Sequence, residues 1–144
     1  MANLTYKVSS VSENDTLTRV NARGLEFVID EPVNAGGTNL GPNPVEYLLG
    51  ALAGCMSITA RLVAKQMGIA VNHLSIDLEG DLDTAKFMGR SAQGRSGYSE
   101  IRLTVNADLE ATPQQKLEWM KAVKARCPVS DNIGKATPVQ IFLK

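Results

Sequence analysis

Cysteine and histidine are scarce in this 144-residue chain: two Cys, at 55 and 127, and one His, at 73. That scarcity bounds the chemistry. One His and no Cys-x-x-Cys leave too few ligands for a zinc site. No Gly-x-Ser-x-Gly elbow is present. Gly36-Gly37 lacks the Lys and Ser/Thr of a phosphate-binding loop. No charge of one sign predominates: 15 basic residues balance 15 acidic ones, and the pI is about 6.6. A basic footprint for nucleic acid is therefore missing. Aromatic residues make up only 5%, so aliphatic side chains and Met must fill the core. The longest uncharged run is too short for a membrane span, which leaves no membrane partner. Met1-Ala2-Asn3-Leu4 has neither a basic start nor an apolar h-region, so a cytoplasmic location is expected. In that compartment, two cysteines suit free, redox-active or metal-linked thiols better than a structural staple.

What the chain does have is one well-marked helix. Asn43 is a good N-cap, Pro44 suits the first helical position, and Glu46 completes a capping box. From Tyr47 to Ala60 there is no charge. Such a helix is expected to be buried on every side. Gly50, Ala51, Ala53 and Gly54 should let other backbones approach closely. Gly68 closes the helix, and Cys55 lies in its middle.

Alternation of apolar and polar residues predicts strands at Leu4–Val8, Leu17–Ala22 and Leu25–Ile29, joined by turns into an antiparallel meander. Glu31 to Pro42 reads as a loop. After the helix, 74–82 and 98–109 alternate as two strands around a Gly-rich tip at 85–97. Thr112-Pro113 starts a second helix with an apolar stripe of Leu117, Met120, Val123 and Cys127. Pro128 breaks it. Residues 138–143 read as a last strand. The whole predicts one α+β domain over residues 1–144, with mostly antiparallel sheet around a long buried central helix.

The reactive candidates are the two thiols, 72 positions apart. Cys55 has a bland reading as a small core hydrophobe. Cys127 stands at a helix break. If Pro128 opens a new short helix, Cys127 is its N-cap, a place that favours the thiolate. Cys55 lies about three turns into its helix, beyond the reach of the macrodipole. Arg61 is about 9 Å further along the axis at the rise of an α-helix. A reactive Cys55 therefore needs a cation from another segment. Arg19, within a predicted strand, is the first candidate and Arg23 the second. His73, alone at a strand start, is read as structural or solvated.

Asn43-Pro44-Val45-Glu46-Tyr47-Leu48-Leu49, then Ala53-Gly54-Cys55, then Arg126-Cys127-Pro128-Val129-Ser130 resemble the signature segments of the OsmC/Ohr family. These are the osmotically inducible and organic hydroperoxide resistance proteins. The resemblance spans essentially the whole chain. It implies an intertwined homodimer with active sites at the subunit interface. It implies a thiol-dependent peroxidase that acts on a small-molecule hydroperoxide. Cys55 would be the peroxidatic thiolate and Cys127 the resolving thiol. An Arg from the N-terminal sheet, here Arg19, would stabilise the thiolate, and Glu46 would hold that Arg. No metal or flavin cofactor is implied, only an external dithiol reductant, often lipoyl-bearing in Ohr proteins. Ohr proteins usually carry Glu directly after the Asn-Pro, where this chain has Val45. Glu46 comes one residue later, turned by about 100° on the helix, and serves the Arg or the capping box alone. The departure favours an OsmC-like subgroup over Ohr proper. Leu48, Leu52 and Met56 would wall the peroxide pocket. Two other functions fit the same residues: a non-catalytic stress or ligand-binding protein, and a dithiol–disulfide oxidoreductase.

Overall fold

The computed structural model describes residues 3–144. These divide into two compact units, one ending at Leu48 and the other running Leu49–Lys144. In the first unit, β1 (Ser9–Ser12), β2 (Thr18–Ala22) and β3 (Leu25–Ile29) form an antiparallel sheet in that order. Val20 pairs with Phe27, and Arg19 with Val28. Arg23 and Gly24 both have positive φ, 60° and 86°, which is the turn that matches the twist of a two-residue hairpin. The Asn21 side chain accepts the Gly24 N–H at 3.0 Å. Arg23 is thus committed to the hairpin turn. The predicted strand at Leu4–Val8 is absent. Leu4, Tyr6 and Val8 are exposed, and pairing begins only at Ser9. An alternating segment makes a strand only where a neighbour offers a ladder.

The loop after β3 is built on a buried carboxylate that sequence reading did not single out. Asp30 is fully buried. It accepts from the N–H groups of Glu31, Thr38 and Leu40 at 2.8, 3.1 and 3.1 Å, and from the Thr38 hydroxyl at 2.6 Å. The loop folds tightly enough that a Cβ on Gly37 would stand 1.9 Å from the Glu31 carbonyl oxygen. The Thr38 hydroxyl, then the Leu40 amide, hold the Asp30 carboxyl well below the usual carboxylate range.

Helix α1 runs Pro44–Gln66. The capping box is present: Asn43 Oδ1 accepts the Glu46 N–H at 2.9 Å, and Glu46 Oε2 accepts the Asn43 N–H at 2.8 Å. Tyr47 donates its hydroxyl to the Val28 carbonyl at 2.7 Å and packs on Phe27, ring centres 5.3 Å apart. At the far end Gly68, with φ 68°, reverses the chain. Its N–H reaches the Lys65 carbonyl, and the Ile69 N–H reaches that of Ala64, a Schellman closure.

By length and composition alone the whole of α1 could cross a membrane, although the uncharged run within it, Tyr47–Ala60, is shorter, and α1 supplies much of the core. Six of its residues are buried: Leu52, Met56, Thr59, Ala60, Val63 and Ala64. They lie on one face. Burial on every side is not what the chain achieves, because Ile58 is 72% exposed and Leu62 46%. Nor does another backbone approach the small residues: nothing lies within 4 Å of a Cβ built on Gly50 or Gly54. The chain by itself has elements enough to cover one face only.

The second unit packs against that face. Strands β4 (Val71–Asp81) and β5 (Glu100–Leu109) pair antiparallel, with an irregularity between Val71 and His73. Their apolar side, Leu74, Ile76, Leu78, Ile101, Leu103 and Val105, lies on the core, and exposed His73 lies off it. Helix α2 (Pro113–Arg126) starts at Thr112 in a second capping box, with Gln115 as partner. Its buried residues are Trp119 and Val123, and Leu117 is 69% exposed. The stripe is therefore Trp119, Val123 and Cys127, one turn apart each; the large indole takes the core position expected for Leu117. Trp119 Nε1 donates to the Ala60 carbonyl at 2.9 Å, both buried. Helix α3 (Pro128–Gly134) follows. Residues 138–143 form no strand and are exposed at Val139, Ile141, Phe142 and Leu143. As at the N-terminal segment, the alternating pattern is present but no described strand pairs with it.

Asp30 generates a pH prediction. Its folded pKa lies below the unfolded value of about 3.9, so its contribution is full above that value. The contribution is lost as pH falls from there towards the lowered folded pKa. Wild type should exceed Asp30→Asn in urea midpoint by a constant amount near neutrality, and the gap should shrink below about pH 4. A gap that stays flat through that range would show that the carboxylate is not what holds the loop.

Candidate active site

Cys55 is placed by α1 and stands at the border of the buried face, half-buried against the core cluster. Cys127 is both the C-cap of α2 and the N-cap of α3, with extended backbone, φ −77° and ψ 110°. Pro128 explains both roles. It disfavours helical geometry at Cys127 and is itself well suited to open the next helix. The conditional reading of Cys127 as an N-cap is therefore correct. The Ser130 N–H donates to Cys127 Sγ at 3.5 Å.

The two sulfurs are 3.2 Å apart, with Cys127 as donor and Cys55 as acceptor. Both are free thiols. Trp119 on Ala60, and Arg126 on Gln66 at 2.7 Å, tie α2 to α1. The sulfurs meet because Cys127 continues the buried stripe of α2, while Cys55 lies beside that of α1.

The expected thiolate preference of Cys127 is reversed. Burial, with 1% exposure, pushes the Cys127 thiol up. The Ser130 amide opposes that shift without overcoming it. The Ser130 and Val129 amides at the start of a seven-residue helix are a weak counterweight to desolvation.

The other expected site residues lie in the first unit. Arg19 on β2 pairs with Glu13, Nε to Oε1 at 2.7 Å, and both are partly exposed. The hydrogen bond that Arg19 donates to Glu13 raises the Arg19 pKa further, so the guanidinium is a permanent cation. Glu46 spends a carboxylate oxygen on the Asn43 amide, which is the capping role, and the ion pair of Arg19 is with Glu13 instead. Glu46 also lines a cavity of about 560 Å³ with Pro32, Asn39, Gly41 and Pro42. Leu52 and Met56, read as pocket walls, are 6% and 4% exposed and belong to the core. Among the described residues, no group of three or more His, Cys, Asp or Glu is placed to hold a metal ion. Sequence reasoning missed Ser130 and Trp119. For Ser130 the signal was present, as the third residue after a Cys that is followed by Pro.

A cysteine on a long central helix, met by a second at a helix junction in an α+β fold, defines a dithiol protein of the OsmC type. The chain belongs to the OsmC family, whose description, OsmC-like protein, matches residues 37–142. No curated protein matches the sequence. Solved structures share the fold. The OsmC-like protein of Mycoplasma pneumoniae is 24% identical with a TM-score of 0.80, over 92% of this chain and 89% of that one. The organic hydroperoxide resistance protein OsmC of Legionella pneumophila is 20% identical with a TM-score of 0.61, over 92% and 91%. OhrB of Bacillus subtilis, titled an organic hydroperoxide resistance protein, is 22% identical with a TM-score of 0.55, over 89% of each. The higher score with the OsmC-like protein accords with an OsmC-like subgroup rather than Ohr proper.

The sulfur separation leads to a direct expectation. One equivalent of an oxidant should link Cys55 to Cys127 within one chain, as read by non-reducing peptide mapping. Persistent free thiols, or links only between chains, would contradict the geometry.

Proposed function

We propose that this protein is a thiol-dependent peroxidase that reduces organic hydroperoxides in the cytoplasm, with electrons from an external dithiol of lipoyl type and no bound metal or flavin. The 3.2 Å separation of Cys55 and Cys127 carries this reading, and the hydroperoxide resistance named in the titles of structural relatives supports it. The Cys55 thiolate attacks the distal oxygen of ROOH. The O–O bond breaks, the alkoxide takes a proton and leaves as ROH, and Cys55 becomes a sulfenic acid. The Cys127 thiol displaces water from it, forming the disulfide. The dithiol then reduces the disulfide by two exchange steps and leaves oxidised.

In this reading Arg19 supplies the cation that Cys55 needs. Its pair with Glu13 is a partly exposed surface ion pair, of a kind that contributes little and yields readily to a thiolate. Glu46 serves by fixing the first turn of α1. Arg23 is held in a turn and plays no part. The working form is a homodimer. Ile58 and Leu62 on α1, with open Gly50 and Gly54, leave apolar helix surface that a second copy would cover.

Two measurements test this. A steady-state assay with cumene hydroperoxide and dihydrolipoamide should show turnover that Arg19→Ala slows by about tenfold or more, the scale of one lost charge-assisted contact, while Arg23→Ala changes little. Turnover on disulfides but not on peroxide would favour the oxidoreductase function, and none on either would favour a binding protein. Sedimentation at micromolar concentration should give a dimer, and a stable monomer would count against the interface.

A further inference from the structure

We propose that Cys127 acts before it resolves: as a buried S–H donor to Cys55 Sγ, it holds Cys55 in the thiolate form that attacks peroxide. The proposal rests on the peroxidase reading and adds a catalytic role in its first step. Three observations carry it. The sulfurs are within hydrogen-bond distance, 3.2 Å. Their burial is unequal, because Cys127 is 1% exposed inside the core cluster while Cys55 is only partly buried at its border. And Cys127 Sγ already accepts the Ser130 N–H.

Consider the pair when it holds one proton. A charge costs more at the more buried sulfur. The proton therefore stays on Cys127 and the charge sits on Cys55. Cys127 then has one S–H to donate, and Cys55 Sγ is its acceptor. A hydrogen bond to the charged form of a group favours that form. The Ser130 amide draws electron density from Cys127 and makes its S–H a better donor, since hydrogen bonds in a chain polarise one another. The neighbouring charges have other partners: Arg126 donates to Gln66, and Asp131 pairs with Lys135. The preference of Cys127 for its proton follows from burial and reinforces the same assignment. When Cys55 becomes a sulfenic acid, the donor is already in place as the resolving thiol, and no rearrangement is needed between the two steps.

The test compares Cys127→Ser, which keeps a donor, with Cys127→Ala and Cys127→Val, which do not. Val roughly fills the site, so a fold defect from the smaller Ala does not confuse the result. Two readouts apply: the rate of Cys55 alkylation by iodoacetamide at neutral pH, located by peptide mapping, and the ultraviolet absorbance of the thiolate. Both Ala and Val should slow alkylation by about tenfold and lower the thiolate signal, as expected for one lost hydrogen bond to a charged group. Ser should recover most of the lost rate. Equal rates in all variants, or Ser as slow as Ala and Val, overturn the proposal. Alkylation needs no peroxide, so the two readings fail separately. A wild type that consumes no hydroperoxide yet shows this alkylation pattern refutes the peroxidase and leaves the donor standing.

Discussion

The indole of Trp119 donates to the carbonyl of Ala60 at 2.9 Å in a site closed to water, and the arrangement of the thiols depends on that contact. A buried indole N–H left unpaired costs about 1–3 kcal/mol, so α2 has one preferred seat along α1. Val123 and Cys127 then follow at one-turn intervals on the same buried stripe. Trp119 is also the only Trp in the chain, which gives one bulky residue the task of setting the helix pair. Had the exposed Leu117 taken that position instead, Cys127 would have rotated away from α1 with it.

The site illustrates how desolvation and polarity compete at a thiol. Position at a helix start argues for a thiolate at Cys127, and burial argues against it. Burial prevails because the Ser130 and Val129 amides do not make up for the waters lost. The result is a division of labour between chemically identical groups. One sulfur is sealed within the core; the other sits at its edge. The carboxylates divide similarly. Asp30 is buried and saturated with donors, and it organises a loop. Glu46 is exposed and closes a helix cap.

The exposed apolar surface of this chain has a common origin. Helix α1 offers apolar residues all round, but the second unit has only one hairpin and two helices to lay against it. Ile58 and Leu62 are left facing outward. The alternating segments at both ends pair with no strand of either sheet. These are separate symptoms of one shortage of covering material.

Much of this was legible locally. The capping box at Asn43 and Glu46, the closure at Gly68, the start of α2 at Thr112, the break at Pro128 and the inner strands all depend on residues within one turn or one hairpin of each other. So does the family signature around Cys55 and Cys127. Four things were not legible. The loop carboxylate of Asp30 gathers donors up to ten positions away. Trp119 replaced Leu117 on the stripe, because only packing chooses among rotations of a helix with ambiguous faces. Leu4–Val8 and residues 138–143 carry strand patterning, yet a pattern states a preference and a ladder needs a partner. The protonation order of the thiols turns on relative burial. Local sequence determined which residues cap and turn. Only the tertiary structure decided which of two equal sulfurs lies deeper, since depth belongs to the packed whole and to no residue's neighbours in the chain.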